Sequence, residues 1–193
     1  MRLSADSLFW FILLVFVVAA FYFTVGVSVF KRELRSSAEV RIASGQKVTV
    51  LKVVDGDEIS VKAGDQRFVV RMLKIVSFDP NVNDPQIKGA AEMTVNYLRN
   101  KLLDGEVELV FDSFARDRND RILSYVHKGA VDIGEEMLSN GLTIVYTKYP
   151  FSRIKRYLAT ERLAREVKIG LWANPVLLRR SQELKKLWEK EKP

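Results

Sequence analysis

The sequence contains no cysteine and a single histidine, His127. The absence of cysteine excludes a disulfide framework and a Cys/His zinc site, and the scarcity of histidine removes the usual Ser-His and Cys-His nucleophile pairs. A glycine-rich phosphate-binding loop is also missing from the sequence. His127 ends a strand-like run and is interpreted as an ordinary strand residue. A chain without cysteine is compatible with an oxidising compartment but does not establish one.

The middle of the chain has almost no excess of positive over negative charge. The net charge of the 193 residues is +7, but residues 36–175 hold 21 basic and 19 acidic side chains. The remaining excess lies in residues 1–35 and 176–193, which excludes a nucleic-acid footprint over the whole surface. A local basic face is compatible with a late group of positive residues, namely Lys148, Arg153, Lys155, Arg156, Arg162, Arg165 and Lys168.

One long hydrophobic run lies near the N-terminus, where Leu8 to Phe30 contain no charged side chain. At about 1.5 Å per residue, a helix of this length spans a hydrocarbon core of roughly 30 Å. The run therefore predicts a transmembrane helix over 8–30. A cleaved signal peptide is the alternative, although its apolar region is normally shorter. By the positive-inside rule, Lys31, Arg32 and Arg35 predict a cytoplasmic location for the domain that follows.

The rest of the chain alternates between strand-like and helix-like patterns after a linker over 31–46. Alternating apolar residues predict strands over 47–53, 58–62, 66–75, 106–111 and 122–127, and helical periodicity predicts helices over 88–103, 132–140 and 152–169. Three strands, a helix and two strands are the order of a five-stranded, OB-fold-like Greek-key barrel. We therefore expect one α+β domain over 47–175.

The C-terminal segment 176–193 combines apolar residues with many charges. Leu177, Leu184, Leu187 and Trp188 fit one face of an amphipathic helix. Such a helix either folds back on the domain or serves a membrane surface or a protein partner. The sequence leaves these alternatives open.

The motif with the clearest chemistry is Asp55-Gly56-Asp57, followed fourteen residues after Asp57 by Arg71. Two neighbouring carboxylates can share a hard cation, and a guanidinium opposite them can hold a phosphate. An Asp-Gly pair between apolar alternations is also typical of an ordinary hairpin turn. The motif alone therefore does not decide between a functional site and a turn.

Taken together, the segments resemble the staphylococcal nuclease family over about residues 47–172. The motifs that carry the resemblance are Val53-Val54-Asp55-Gly56-Asp57, Val70-Arg71-Met72-Leu73, Asp117-Arg118-Asn119-Asp120-Arg121, Gly141-Leu142, Glu161, Ala164-Arg165 and Gly170-Leu171-Trp172. Each motif is weak singly, but their order and spacing agree with the family. The resemblance implies a barrel with added helices and calcium-dependent hydrolysis of phosphodiesters in DNA or RNA, leaving a 3′-phosphate.

The resemblance also implies a role for individual residues. Asp55 and Asp57 match the carboxylates that help to bind one calcium ion. Arg71 and Arg121 match the two arginines that hold the scissile phosphate. Asp79 stands where the family has a glutamate that activates or positions the attacking water, and its side chain is one methylene shorter.

Two positions depart from the family pattern. Val76 replaces a third metal carboxylate, and Asn119 replaces a tyrosine that contacts the nucleotide. Arg118 and Tyr149 match nucleotide-contacting positions, and Tyr146 lies nearby; both tyrosines are equally compatible with packing roles.

Two functions follow as hypotheses. The first is a membrane-tethered, calcium-dependent nuclease in which the ion is weakly bound because one carboxylate is lost. The second is an inactive pseudo-nuclease that serves as a binding or scaffold module in a membrane-associated complex. The family is usually exported, whereas the flanking charges predict a cytoplasmic domain, so the membrane side stays open.

Overall fold

The structure is a computed structural model that describes residues 14–18 and 42–192. Residues 14–18 are helical, and the chain divides into two compact units, Met1–Arg41 and Ile42–Pro193. Among the described residues, no helix is long and apolar enough to cross a membrane. Most of the predicted transmembrane segment, 8–30, and of the linker, 31–46, lies outside the described residues. The membrane anchor therefore stays a prediction.

The second unit is built from short strands and four helices. Its strands are β1 (Gln46–Asp55), β2 (Glu58–Ala63), β3 (Gln66–Met72), β4 (Ile75–Val76), β5 (Glu106–Val110), β6 (Ile122–Lys128), β7 (Val131–Asp132) and β8 (Ile144–Val145). Its helices are α1 (Pro85–Leu102), α2 (Ile133–Ser139), α3 (Ile154–Glu166) and α4 (Pro175–Lys190). The order of the five longer strands and of the helices agrees with the one expected from the sequence, and the two-residue strands β4, β7 and β8 were not predicted as separate strands.

Five of the strands close into a barrel. Antiparallel pairs join β3 to β2, β2 to β1, β1 to β5 and β5 to β6, and a parallel pair between β6 and β3 completes the ring. Alternate residues such as Val50, Ile59, Val70 and Leu109 are fully buried inside it, as period-2 patterning requires. The predicted α+β class and five-stranded barrel are confirmed.

The β2–β3 hairpin sets the register of the candidate site. Gly64 has a φ of 57°, which glycine adopts without steric cost. Ala63 pairs with Gln66 across this two-residue turn, and the same register places Glu58 opposite Arg71. The turn therefore decides which carboxylate faces the arginine.

The third strand is shorter than the sequence predicts. The alternation predicts a strand that runs to Ile75, but β3 ends at Met72 and Lys74 has a left-handed φ of 63°. The chain then leaves the barrel, and Ile75 and Val76 pair with β8 instead. The apolar, β-branched residues of β4 match a continued strand, and periodicity does not reveal the turn between them and β3.

The helices form a second apolar layer beside the barrel. Asp84 caps α1 by accepting hydrogen bonds from the backbone N–H groups of Gln86 (2.8 Å) and Ile87 (3.1 Å). The layer contains Phe78, Ile87, Ala91, Ile144, Ala164, Leu171, Trp172, Leu177 and Trp188. Because α4 contributes two of these residues, the predicted amphipathic helix is present and packs onto the domain.

A close backbone contact leads the chain into α4. Gly141 has a φ of 61°, and a Cβ at this position would clash with the carbonyl oxygen of Ile169. The backbone N–H of Leu171 donates to the carbonyl of Gly141 at 2.8 Å. Only a residue without a side chain permits this approach, which places the short 3-10 turn Gly170–Ala173 directly before α4.

Candidate nucleic-acid site

A pocket of about 780 Å³ lies between the barrel and the helical layer. We call the charged group at one end the ionic cluster, consisting of Asp57, Glu58, Arg71, Asp117 and Arg121. We call the group at the other end the aromatic wall, consisting of Tyr146, Tyr149, Leu184 and Trp188. Arg71, Asp117, Arg121 and all four wall residues line the pocket, together with Val76, Arg118, Asn119 and Lys148.

The two arginines predicted to hold phosphate converge on one carboxylate. Arg71 lies on β3, and its Nη1 donates to Oε1 of Glu58 at 3.2 Å. Arg121 directly precedes β6, and its Nη1 donates to the same oxygen. The parallel pairing of β3 with β6 brings these two residues, fifty positions apart in sequence, to one point. Glu58 itself is only 9% exposed.

Two further carboxylates, those of Asp57 and Asp117, accept hydrogen bonds from the arginines and orient them. Asp57 accepts a hydrogen bond from Nη2 of Arg71 at 3.1 Å. Oδ2 of Asp117 accepts from Nε of Arg121 at 2.6 Å, and Oδ1 of Asp117 accepts from the backbone N–H of Arg121 at 3.1 Å. The planar guanidinium fork matches such two-point contacts. Both arginines are therefore held in place before any ligand arrives.

Burial changes the acidity of Asp57. The carboxyl is 3% exposed, and burial raises its pKa to about 6. The charge of Arg71 lowers this pKa, the neighbouring charge of Asp55 raises it, and a hydrogen bond from the Ser77 backbone lowers it. Desolvation outweighs the ion pair because the charged form loses most of its water.

The calcium site that the family resemblance implies would draw oxygen ligands from Asp55, Asp57 and position 76. Oδ1 of Asp55 accepts a hydrogen bond from the Gly56 N–H at 2.7 Å, Asp57 is engaged by Arg71, and Val76 carries no ligand atom. Among residues 14–18 and 42–192, no group of three or more acidic, histidine or cysteine side chains is placed to hold a metal ion. Calcium prefers six to eight oxygen ligands, so the residues present do not fit the full calcium site.

The side chain of Asp79 forms its hydrogen bonds with Asn81 and not with the two arginines. Its carboxylate is exposed and accepts from the backbone N–H of Asn81 at 2.8 Å and from Nδ2 of Asn81 at 3.0 Å. These contacts close a local turn ahead of α1. The structure therefore places Asp79 in a loop, outside the ionic cluster, and Asp55 and Asp79 do not line the pocket.

The aromatic wall is a chain of ring contacts. Tyr146 packs edge-on against Trp188, with ring centroids 4.8 Å apart, and against Tyr149 at 6.3 Å. The ammonium groups of Lys74 and Lys148 lie 5.5 Å and 5.7 Å from the centre of the Tyr149 ring. Burial raises the pKa of the Tyr146 hydroxyl. An aromatic surface beside cations is suited to the stacking of a nucleic-acid base.

Helix α4 is tied to this wall by ion pairs. Lys185 pairs with the buried carboxylate of Glu161, whose other oxygen accepts from the backbone N–H of Val145 at 2.8 Å. Lys148 pairs with Glu191 at 2.9 Å. These contacts link α4, α3 and β8, so the position of the wall depends on the C-terminal helix.

Sequence reasoning missed four of these residues. Glu58 was recoverable, because counting back from the Gly64 turn places it opposite Arg71. Asp117 was also recoverable as a carboxylate four residues before Arg121. Leu184 and Trp188 were recognised only as an apolar stripe, since nothing in the sequence shows that α4 reaches the pocket.

Comparisons with known proteins identify the family of this chain. The family model described as "Staphylococcal nuclease homologue" matches residues 70–174, more than half of the chain. A thermonuclease of Staphylococcus hyicus is 28% identical over 143 residues, which cover 72% of this chain and 82% of that protein.

Two other relatives come from distant organisms. A protein of Pyrenophora tritici-repentis named "Probable endonuclease" is 33% identical over 104 residues, covering 50% of this chain and 36% of that protein. An uncharacterized protein of Methanocaldococcus jannaschii is 26% identical over 145 residues, covering 64% of this chain and 70% of that protein. From the family match and the barrel that carries its motifs, we conclude that this chain belongs to the staphylococcal nuclease family.

Proposed function

We propose that this protein is a nuclease that hydrolyses phosphodiester bonds in DNA or RNA, with Arg71 and Arg121 binding the scissile phosphate. The observation that carries the proposal is the convergence of both Nη1 atoms on one oxygen of Glu58. Two guanidinium groups aimed at one oxygen form an anion site of the kind that stabilises a phosphoryl group in a displacement reaction.

In this proposal the arginines stabilise the negative charge that builds up on phosphorus oxygens as water attacks. Asp79 is the proposed proton acceptor for that water. To act in this way, its carboxylate must exchange its contacts with Asn81 for the water. The family implies that the 5′-oxygen leaves and the 3′-phosphate stays on the product.

We predict that hydrolysis requires calcium, as the family resemblance implies. Asp55 and Asp57 supply two carboxylates, and Val76 withholds the third. Each step of the proposed reaction is attributed to side chains rather than to the ion, because these residues supply fewer oxygen ligands than the six to eight that calcium normally takes.

The aromatic wall supports a nucleic-acid substrate. We propose that Tyr149, and Tyr146 behind it, contact a base, while Arg118 and Lys148 contact the flanking phosphates. All four residues line the same pocket, and the combination of basic and aromatic side chains is typical of surfaces that bind single strands.

A second candidate is the inactive binding module. It is favoured by Val76 at a metal position and by the three carboxylates that already occupy the two arginines. Such a protein would bind nucleic acid through the pocket without cleaving it.

The deciding experiment is an assay of the full chain in detergent with labelled single-stranded DNA, double-stranded DNA and RNA. Each substrate is tested with calcium, with magnesium and with chelator, and product ends are mapped. Cleavage that is lost in both Arg71→Ala and Arg121→Ala supports the nuclease. Binding without cleavage under every condition supports the binding module.

We also propose that Leu8–Phe30 anchors the protein as a single membrane span. Apolar burial is insensitive to salt and alkali, so the protein should stay in the membrane fraction after high-salt and carbonate washing. A mature N-terminus mapped beyond Phe30 would instead identify a cleaved signal peptide. Protease treatment of spheroplasts decides the side: a protected domain agrees with the flanking charges, and a digested one agrees with the export usual for the family.

A protein partner for residues 176–193 is proposed only through the outer face of α4. Leu177 and Trp188 are buried in the domain, whereas Leu187 is 48% exposed. Any partner contact therefore depends on the exposed face, and co-purification of wild type against Leu187→Asp tests it.

A further inference from the structure

The most unusual feature of the site is that a buried carboxylate of the chain itself lies between the two arginines. Nη2 of Arg71 donates to Asp57, and Nε of Arg121 donates to Asp117, so each guanidinium already holds one carboxylate. Each then presents Nη1 to the same atom, Oε1 of Glu58. The two Nη1 donors of these pocket-lining arginines are therefore occupied before an external anion arrives.

We propose that Glu58 is an internal substitute for the substrate phosphate, and that it sets which anions the site accepts. The inference rests on the proposed function of Arg71 and Arg121 as the phosphate ligands. A phosphate that enters must displace the carboxylate of Glu58 from both Nη1 atoms.

Charge balance supports displacement rather than simultaneous binding. The ionic cluster contains three carboxylates and two guanidiniums. An added phosphate would place another negative charge beside a buried carboxylate, and like charges at such distances repel strongly where water is scarce. Moving Glu58 away from the arginines leaves two guanidiniums, two orienting carboxylates and the phosphate.

The consequence is that the site binds a polynucleotide in preference to a small anion such as inorganic phosphate. Free inorganic phosphate replaces the contacts of Glu58 but gains little else, so it should bind weakly. A polynucleotide gains further contacts with Arg118, Lys148 and the Tyr149 ring, which line the same pocket. These contacts offset the displacement, and after hydrolysis Glu58 competes with the product phosphate for the arginines.

The test uses the full chain in detergent and titrates inorganic phosphate, followed by calorimetry and by the NMR signals of arginine Nε–H groups. Glu58→Gln keeps the shape of the side chain and removes its charge, so phosphate should bind at least about tenfold tighter. That factor corresponds to losing competition from one charge-assisted hydrogen bond. The gain for a single-stranded oligonucleotide should be smaller.

The matched control is Glu136→Gln, which also removes one negative charge from an ion-paired glutamate, the partner of Lys101. This variant should leave phosphate affinity unchanged. Adding Arg71→Ala to Glu58→Gln should abolish the gain if it arises at the arginine pair. Glu58→Ser, whose side chain is too short to bridge the arginines, repeats the test if the glutamine variant melts early.

Unchanged or weaker phosphate binding in both Glu58 variants overturns the inference. A role for Glu58 as proton acceptor would show itself in this way, with turnover lost and phosphate affinity unaltered. The outcome is separable from the proposed function. An inactive wild type with the predicted gain refutes the nuclease and supports the inference, whereas an active wild type without the gain does the opposite.

Discussion

The ionic cluster and the aromatic wall meet in one pocket, but they are assembled differently. In the cluster, Glu58 and Arg71 belong to adjacent strands of one hairpin, and Asp117 lies four residues from Arg121. In the wall, Tyr146 contacts Trp188 from α4, more than forty residues away. Each half of the cluster is local in sequence and closure of the barrel joins the two halves, whereas the wall depends on a helix that docks from the end of the chain.

The two ends also differ in the forces that hold them. Hydrogen bonds between charged groups orient the cluster, and removing one partner leaves a buried charge unpaired. Apolar burial of Leu177 and Trp188 holds α4 and, through it, the wall. A perturbation of the wall should therefore change stability first, whereas a perturbation of the cluster should change both the chemistry and the electrostatic part of stability.

The largest expected effect is at the wall. Trp188→Ala removes a ring that is 7% exposed, and loss of a buried aromatic side chain costs about 3–5 kcal/mol in the free energy of unfolding. Urea unfolding measures it. Leu187→Ala, at the neighbouring exposed position, should change stability by less than about 0.5 kcal/mol. Equal losses in the two variants would show that α4 does not pack as described.

At the ionic cluster, Arg71→Ala and Arg121→Ala should each lower the rate of phosphodiester hydrolysis by about 10²–10³. The reason is the loss of one donor aimed at the reacting phosphate. Arg67→Ala is the control, because Arg67 lies on the same strand and is exposed. Melting curves establish that the variants are folded. Full activity in either folded variant would remove that arginine from the mechanism.

The pH dependence of stability sharpens the comparison within the cluster. The pKa of Asp57 is raised to about 6, so the folded protein binds this proton more tightly than the unfolded chain. Stability is therefore highest below about pH 4 for this group and falls by about 3 kcal/mol in total as pH rises through about 6. Asp57→Asn should flatten the profile.

Urea unfolding between pH 4 and 7, with chelator present, measures this effect. Asp65→Asn serves as the control, since Asp65 is exposed on the β2–β3 turn and its removal should leave the slope intact. A wild-type profile that rises through this window, beyond what the control shows, would contradict the raised pKa.

The smallest expected effect concerns Val76, which also lines the pocket. Val76→Asp adds a carboxylate where the resemblance to the family implies one, and calcium affinity should rise roughly tenfold, since attraction to the ion exceeds the cost of desolvating the new charge. Calorimetry measures it. Val131→Asp, at an exposed position, adds the same charge elsewhere. Equal affinities in these two variants would show that position 76 does not face the ion.

The half of the cluster on the β2–β3 hairpin could be predicted because its geometry follows from short-range rules. Period-2 alternation identifies β2 and β3, and the Gly64 turn fixes their register. Arg71 and Arg121 were predicted as a pair from the resemblance, and the structure places them on one carboxylate. The position of Asp79 was harder to predict from the sequence, because the loop conformation depends on the hydrogen bonds of Asp79 with Asn81.

By itself, the sequence determined the barrel, the helices and the residues that carry charge. These follow from apolar periodicity, from turn residues such as Gly64 and from caps such as Asp84, all of which act over a few positions. Only the tertiary structure decided that Glu58 fills the space between the arginines and that Trp188 supports the tyrosines. Closure of the barrel and docking of α4 bring distant residues together, and the energy of such contacts depends on burial and orientation that no local pattern records.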